Sequence, residues 1–324
     1  MTLSFDISRT RNAIADGVHP PSLQPFGSDC SVRSQVSLAS LTSLRVGGPA
    51  QWYLAPRCLR DLKAGLAWAR AHALPVTLIG AGSNLLIGDR GLPGLTLCTR
   101  RLRHMHFDEE TGQVTVAAGE PLPKLAWQAA ARGWSGLEWA VGIPGTVGGA
   151  VVMNAGAHQS CTADYLVEAK LLCPDGTLEV LTPRDLGYRY RTSCLQGGSR
   201  LVIEATFQLQ PGNNPQQLAD CTAAHFNQRR TTQPYHLPSC GSVFRNPEGD
   251  SAGWLIEQTG LKGYRIGAAQ VSQRHANFIL NTGGATADDV FRLIQAMRDR
   301  VEQAWNVRLE TEVRILGEFS TTGR

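Results

Sequence analysis

Apolar residues recur along the chain with two different spacings, and each spacing predicts a kind of element. Leu59, Leu62, Leu66 and Ala69 lie three or four residues apart, which predicts a helix over residues 59–73 that ends before Pro75. The short apolar run at 76–79 predicts a buried strand. The same reasoning predicts further strands and a second helix in the first half of the chain: strands at 85–87, 95–98 and 114–117, and a helix over about 122–132.

The second half of the chain starts with strand patterns and then becomes more helical. Strands dominate residues 167–209. Helices are predicted over about 216–230 and over 287–305. Thr286 is the expected N-cap of the later helix, with Asp289 three residues on. A last strand is expected at 309–316.

These elements predict an α+β fold with more than one domain. Residues 1–40 are rich in Pro, Ser and Gly, and we expect a loosely ordered extension there. Residues 41–212 form the expected first domain, in two parts of approximately 41–110 and 111–212. The Pro- and Gly-containing stretch 211–215 predicts the boundary to a smaller αβ domain over 216–320.

Composition narrows the class of protein. Hydrophobic residues make up 42% of the 324 residues and charged residues 18%, which is typical of a globular chain. A net charge of +4 is too small to indicate nucleic-acid binding. The eight cysteines include no CxxC pair, so we expect no metal site. Because the chain is large and shows no signal peptide, we expect its thiols to be reduced. No signal peptide or membrane span is apparent. The expected location is therefore the cytoplasm, with no obligate protein partner evident.

Two glycine-rich stretches carry the first chemical signal. The sequence GAGSN at 80–84 follows a predicted strand, and GIPGTVGG at 142–149 is followed by MNAG at 153–156. Neither is a P-loop, and no GxGxxG follows a strand, so a Rossmann dehydrogenase is disfavoured. Either loop alone could be only a tight turn. Together, with polar side chains nearby, they favour a ligand that contains a pyrophosphate.

An ordered set of short motifs resembles one enzyme family. The glycine loops resemble the flavin-binding domain of the vanillyl-alcohol-oxidase-like (PCMH-type) flavoproteins. With the later motifs, the chain resembles the UDP-N-acetylenolpyruvoylglucosamine reductase family, in its shorter subclass without the substrate-covering insertion. The matching segments run in the family's order from about residue 40 to the end: LRVGG at 44–48, GAGSN at 80–84, IPGTVGG at 143–149, MNAGA at 153–157, YRTS at 190–193, GSVFRNP at 241–247, GWLIEQ at 253–258, LKG at 261–263, HANF at 275–278 and EVR at 312–314.

The resemblance implies a two-part FAD-binding domain followed by a smaller substrate-binding domain. It also implies NADPH as hydride donor and a nucleotide-sugar substrate, UDP-N-acetylglucosamine-enolpyruvate, reduced to UDP-N-acetylmuramate in peptidoglycan precursor synthesis. Residues 80–88 contain neither His nor Cys, so we expect the FAD to be bound non-covalently.

Three residues match the family's catalytic positions. A guanidinium such as that of Arg191 can hold a substrate carboxylate by two hydrogen bonds. Ser242 matches the proton donor, and Glu312 matches a carboxyl beside the developing negative charge. For Glu312 we expect a raised pKa and a protonated state. Glu310 is its rival two positions earlier, but the family pattern favours the residue directly before Val313.

The resemblance also assigns binding residues. Tyr190, Asn246, Lys262 and His275 match substrate-contacting positions. The expected cofactor-binding residues are Arg45, Gly80, Ala81, Gly82, Ser83, Asn84, Leu85, Gly142, Ile143, Pro144, Gly145, Gly148, Gly149 and Asn154.

Two other interpretations remain open from the residues alone. Another FAD-dependent sugar or lactone oxidoreductase of the same flavoprotein group would share the loops but not the Ser242 and Glu312 motifs. A non-catalytic nucleotide-sugar-binding protein would need no flavin.

Overall fold

The structure, a computed structural model, describes residues 30–319, and its first unit is a four-stranded sheet with one helix. The strand order is β1-β2-β5-β3, with β1 antiparallel to β2 and the other neighbours parallel. The helix buries the apolar stripe around Leu62 and Ala69, as its spacing predicted. The elements are β1 (Arg33–Ser37), β2 (Pro49–Leu54), α1 (Leu59–Ala71), β3 (Val76–Ile79), β4 (Leu85–Ile87) and β5 (Leu92–Cys98).

The first strand differs from the expected extension over residues 1–40. Arg33–Ser37 forms β1 and pairs with β2, and Val32 is buried in the adjoining core. Residues 1–29 of that extension lie outside the described residues. The strand was not expected because Pro and Ser just before it obscured a pairing that depends on a distant partner.

The second unit is a five-stranded antiparallel sheet with two helices packed against it. Its strand order is β11-β10-β12-β7-β6. The core between sheet and helices contains Leu125, Val151 and Phe207. The elements are β6 (Met105–Asp108), β7 (Gln113–Ala117), α2 (Leu122–Ala131), α3 (Val147–Met153), β8 (Gly156–Ala157), β9 (Ser160–Cys161), β10 (Leu166–Leu172), β11 (Leu178–Leu181) and β12 (Leu201–Gln208).

The last unit is mainly helical, with one small sheet. Its longest helix starts with the expected capping box, in which Thr286 accepts from the Asp289 amide and the Asp289 carboxylate accepts from the Thr286 amide. The elements of this part of the chain are α4 (Pro215–Thr232), α5 (Ala252–Gln258), β13 (Arg265–Ile266), β14 (Ala269–Val271), β15 (Ile279–Asn281), α6 (Ala287–Trp305) and β16 (Arg314–Leu316). Of these, α4 packs against α2 of the second unit.

The end of the chain returns to the first unit. The predicted strand at 309–316 is reduced to β16, which pairs in parallel with β4. Leu44 and Leu86 from the first unit are buried in the same core as α5 and α6. Asp89, just after β4, accepts from the amides of Ala287 and Asp288 at the start of α6. The first and last units therefore share a core. Because β4 directly follows the loop at 80–84, its pairing with β16 holds this loop close to the last strand.

None of the helices within residues 30–319 is both long and apolar enough to cross a membrane.

Candidate active site

A cavity of about 1030 Å³ lies where the three units meet. Its walls include both glycine loops, the turn that carries Arg191, the segment around Ser242, and Glu312. Small-molecule sites usually range from about 300 to 1,000 Å³, so this volume suits a large ligand or two ligands side by side.

The first glycine loop, residues 80–84, is held from behind by Arg100. The guanidinium of Arg100 donates to the carbonyl of Gly80 (3.2 Å) and to that of Ala81. It also donates to the carbonyl of Leu41 (2.7 Å). Because a trans peptide places its C=O and N–H on opposite sides, the N–H groups of Ala81 and Gly82 point away from Arg100. These amides are therefore available to an anionic group in the cavity that the loop lines.

Gly82 occupies a position in this loop that requires glycine. Its φ is +67°, and an added Cβ would lie 2.2 Å from the carbonyl oxygen of Leu41. The next residue joins the two glycine loops, because Ser83 Oγ donates to the carbonyl of Pro144 at 2.7 Å. The two loops that together favoured a ligand in the sequence analysis are thus in direct contact.

The second glycine loop leads directly into α3. Thr146 caps this helix by accepting from the amide of Gly149, and the amide of Gly148 donates to the carbonyl of Ala118 at 2.9 Å. The loop carbonyl of Gly145 accepts from the amide of Leu122 at 3.1 Å. Both sides of the loop are thus anchored to the second unit, and it forms a rigid wall of the cavity.

Arg191 lies in a strained turn that aims its side chain at Glu312. Arg189 and Thr192 exchange both backbone hydrogen bonds, and Arg191 between them has φ 55°. Its Nε donates to Glu312 Oε1 at 3.1 Å, and one terminal nitrogen donates to the carbonyl of Gly156 at 2.6 Å. The guanidinium also lies over the ring of Tyr190, 5.0 Å from its centroid.

Glu312 is mostly buried, and its environment contains opposing influences. Burial raises the pKa of Glu312 above the ordinary value of 4.5, while Arg191 acts in the opposite direction. Both side chains retain about a fifth of their exposure, 20% for Arg191 and 18% for Glu312. The raised pKa has the direction that the sequence analysis expected. The pairing with Arg191 also shows that the carboxyl accepts a hydrogen bond here.

Ser242 lies on the neighbouring segment and lines the same cavity. It follows Gly241, whose φ is +79°, and it forms an isolated β-bridge with Phe278. The amide of Glu312 donates to the carbonyl of Val243, the next residue, at 2.8 Å. Asn84 Nδ2 of the first glycine loop donates to the carbonyl of Glu312 at 3.0 Å. Backbone contacts therefore bring Ser242, Glu312 and this loop together.

Most of the expected site residues line the cavity. Besides Arg191, Ser242 and Glu312, these are Gly80, Ala81, Gly82, Ser83, Asn84, Leu85, Ile143, Pro144, Gly145, Gly148, Gly149, Tyr190 and Asn246. Asn246 already has one contact, because its Oδ1 accepts from the amide of Ala252 at 3.1 Å.

Five expected residues do not line the cavity, namely Arg45, Gly142, Asn154, Lys262 and His275. Arg45 is exposed in a turn. Gly142 lies behind the wall, where its carbonyl accepts from Tyr235 Oη. Asn154 is buried, and its side chain bonds to the backbone of Arg189 and Ala163. It thereby supports the Arg191 turn, and any effect it has on a ligand is indirect.

Lys262 and His275 are both engaged with α5 and its surroundings. Lys262 Nζ lies 2.7 Å from Glu257 Oε1. Burial lowers the pKa of His275 below its ordinary value. Its Nδ1 accepts from the amide of Asn277, and its ring packs on Phe278. In this arrangement both side chains stabilise the last unit.

Sequence reasoning missed three arginines of the site. Arg100 holds the first glycine loop, and Arg245 donates to the Arg191 carbonyl and to Thr192 Oγ1. Arg229 lines the cavity from α4. No local pattern distinguishes these arginines from surface arginines, because their partners are distant in sequence.

Known proteins share this arrangement of domains. Residues 50–182 match the model of the FAD binding domain, and residues 233–316 match that of the UDP-N-acetylenolpyruvoylglucosamine reductase C-terminal domain. The UDP-N-acetylenolpyruvoylglucosamine reductase of Nostoc sp. (strain PCC 7120) is 61% identical over 90% of this chain and 88% of the relative. The chain belongs to the UDP-N-acetylenolpyruvoylglucosamine reductase family.

Other members of the reductase family agree with this assignment. The UDP-N-acetylenolpyruvoylglucosamine reductase of a Synechocystis species is 58% identical over 93% of this chain and 95% of the relative. The solved structure of UDP-N-acetylenolpyruvylglucosamine reductase from Thermus caldophilus superposes with a TM-score of 0.76 at 36% identity, covering 89% of this chain and all of that one.

The described residues fit the FAD that this reductase family uses. The N–H groups of Ala81 and Gly82 face away from Arg100, and the two glycine loops line one large cavity. Amides in such a loop bind a diphosphate without a side chain in the way. The cavity also leaves room for a substrate beside the cofactor.

Proposed function

We propose that the chain is an FAD-dependent reductase that uses NADPH to convert UDP-N-acetylglucosamine-enolpyruvate into UDP-N-acetylmuramate for peptidoglycan synthesis. The observation that carries this proposal is the Arg191–Glu312 pair beside Ser242, in a cavity whose other wall is formed by the two glycine loops. We extend the proposal to a cytoplasmic location, in keeping with the nucleotide-sugar substrate.

The cofactor supplies the redox chemistry: when bound, FAD carries a hydride from NADPH to the terminal carbon of the enolpyruvyl group. The protein's task is to manage the charge and the proton that this addition requires. As the hydride adds, negative charge moves onto the substrate carboxylate and the carbon beside it. We assign Arg191 to this carboxylate, because a guanidinium stays positive throughout and its geometry matches two oxygens.

Ser242 is the proposed proton donor to the carbon next to the carboxylate. A serine hydroxyl is a weak acid, so its proton moves only toward a strong base such as an enolate. Glu312 supports this step from the segment that pairs with Val243. Its raised pKa favours a protonated carboxyl, which would donate a hydrogen bond to the enolate after substrate displaces part of the Arg191 contact.

Turnover tests the proposal. Without oxygen, the flavin-loaded enzyme should oxidise more than one equivalent of NADPH only when the enolpyruvyl nucleotide sugar is present, and the product should be heavier by two hydrogen atoms. The Ser242→Ala enzyme should be slower by about 100-fold or more, the usual contribution of a general acid. Ser40→Ala, at an exposed serine that does not line the cavity, is the control and should match wild type. NADPH oxidation that ignores the enolpyruvyl sugar would reject the proposal.

A further inference from the structure

One wall of the cavity brings together three basic side chains that the proposed mechanism does not use. His158 lies in the turn between β8 and β9, while His225 and Arg229 lie one helical turn apart on α4. The rings of His158 and His225 are in contact, with centroids 4.1 Å apart. His158 and Arg229 both line the cavity.

Two nitrogen atoms on this wall are buried without a partner. Within residues 30–319, neither His158 Nε2 nor Arg229 Nε has a hydrogen-bond partner. Leaving a buried polar nitrogen without a hydrogen bond destabilises the folded state, and more so for a charged group. Two such atoms on one cavity wall therefore indicate a ligand that supplies acceptors.

Arg229 is held in place by its surroundings. Its stem packs against the second glycine loop so closely that a Cβ added to Gly142 would lie 2.2 Å from Arg229 Cδ. One terminal nitrogen donates to Gln233 Oε1 at 3.0 Å. The guanidinium is thus fixed at the cavity wall, ready to bind an anion without first becoming ordered.

The turn that carries His158 is strained. His158 has φ 50° and Gln159 has φ 65°, a region that residues other than glycine seldom occupy. Backbone strain of this kind is concentrated at sites that hold ligands. Here it projects the His158 ring toward α4 rather than into solvent.

Electrostatics at this wall favour a negatively charged ligand. Burial lowers the pKa of His158, and His225 and Arg229 lower it further by repulsion. The lowered pKa favours a neutral His158 ring, so the Arg229 guanidinium supplies the positive charge of this wall, and a negatively charged ligand would complement it. The proposed substrate has two anionic parts, and Arg191 is assigned to the carboxylate, which leaves the diphosphate.

We infer that Arg229 and His158, with His225 packed behind, form a binding site for the diphosphate of a nucleotide. The inference rests on the proposed function, which supplies two sources of that group, the nucleotide sugar and NADPH. The site differs from the glycine loops because its donors are side chains and not backbone amides. Arg229 and His158 would thus position the nucleotide while Arg191 orients the reacting group.

Calorimetric titration of the flavin-loaded enzyme tests this site. UDP serves as probe for the nucleotide sugar and NADP⁺ as probe for the dinucleotide. Arg229→Gln should weaken binding of one or both probes by about tenfold or more, as expected for loss of a charge-assisted hydrogen bond. His158→Phe keeps the ring contact with His225 and should weaken the same probe by a smaller factor. Arg229→Lys should retain an intermediate affinity.

Arg230→Gln is the matched control. Arg230 is exposed, lies over the ring of Phe226 and does not line the cavity, so this variant should bind both probes like wild type. Added salt should weaken UDP binding more in wild type than in Arg229→Gln. If Arg229→Gln weakens only the binding of UDP, the site belongs to the nucleotide sugar, and if it weakens only the binding of NADP⁺, the site belongs to the dinucleotide. Weaker binding of both probes indicates a shared site.

Two results would overturn the inference. One is equal affinities for Arg229→Gln and Arg230→Gln. The other is weakened binding that merely follows loss of flavin or of thermal stability, which would indicate a structural role. The proposed function is tested separately, by turnover of the enolpyruvyl sugar in the wild-type enzyme. That result does not depend on how Arg229→Gln binds UDP.

Discussion

At the residue scale, Glu312 shows how one carboxyl responds to burial and to a neighbouring cation. Burial raises its pKa, and the contact between Arg191 Nε and Glu312 Oε1 offsets part of that rise. The net shift of the Glu312 pKa is upward. In a site that must tolerate developing negative charge, a carboxyl that protonates easily avoids repulsion with the substrate.

This raised pKa predicts a pH-dependent effect of Glu312→Gln. A carboxyl whose pKa is higher in the native state than in the unfolded state makes the native state bind more protons, so stability falls as pH rises above about 4.5. Glutamine does not titrate. We therefore expect the stability of Glu312→Gln relative to wild type to increase as pH rises above about 4.5, measured by denaturant unfolding with saturating FAD.

The control for this titration is Glu310→Gln. Glu310 lies on the same segment, but its side chain is 80% exposed. The stability of Glu310→Gln relative to wild type should change little over the same pH range. If Glu312→Gln and Glu310→Gln showed the same pH dependence, the raised pKa of Glu312 would be rejected.

Individual site residues differ in how far the sequence could identify them. Arg191, Ser242 and Glu312 were found through their motifs, although each also fits a plain structural role. The sequence did not identify Arg100 or Arg229 as site residues. The role of each depends on carbonyl groups or a cavity formed by segments that are distant in sequence. Asn154 was expected at the cofactor, yet its side chain bonds to the backbone of Arg189 and Ala163.

At the element scale, the two glycine loops act as one structure. Ser83 links them, Arg100 fixes the first, and α3 follows directly from the second. The sequence predicted α1, α2, α4 and α6 to within two residues at each end, because their apolar faces and caps are local features. It did not predict α3, whose Val and Gly residues disfavour an isolated helix and which depends on packing against β12.

The fixed geometry of the first loop predicts the effect of Gly82→Ala. The new Cβ would meet the Leu41 carbonyl at 2.2 Å, so the loop must move and its amides lose their alignment. We expect the purified variant to carry less flavin and to bind FAD at least about tenfold more weakly. The flavin-to-protein absorbance ratio and fluorescence titration of the apoprotein measure this.

Gly176→Ala separates the clash from simple backbone strain. Gly176 also has a positive φ of +90°, but an added Cβ there would meet nothing within 4 Å. This variant should lose about 1 kcal/mol of stability and keep its flavin. Equal flavin loss in the two variants would show that the clash with the Leu41 carbonyl is not the cause of the weaker FAD binding in Gly82→Ala.

At the scale of the whole molecule, the cavity depends on how the end of the chain returns to its beginning. β16 pairs with β4, and Arg314 N donates to the carbonyl of Asn84 at 3.0 Å. This return places Glu312 against the first glycine loop. The sequence analysis did not predict this interlocking, because a three-residue parallel pairing between distant parts of the chain has no local signature.

The same interlocking explains why the site is shared between units. The glycine loops come from the first two units, Arg191 from the second, and Ser242 and Glu312 from the last. A flavin and its substrate can therefore lie in one cavity and react in turn. The central claim is that this cavity passes reducing equivalents from NADPH to the enolpyruvyl group.

The most direct test is the visible absorbance of the purified protein under anaerobic conditions. NADPH should bleach the flavin band, and the enolpyruvyl nucleotide sugar should restore it in stoichiometric amount. In Ser242→Ala, bleaching should proceed nearly as in wild type, while recovery should be slower by about 100-fold or more. A colourless protein, or a bleached band that recovers with oxygen but not with the enolpyruvyl nucleotide sugar, would contradict the account.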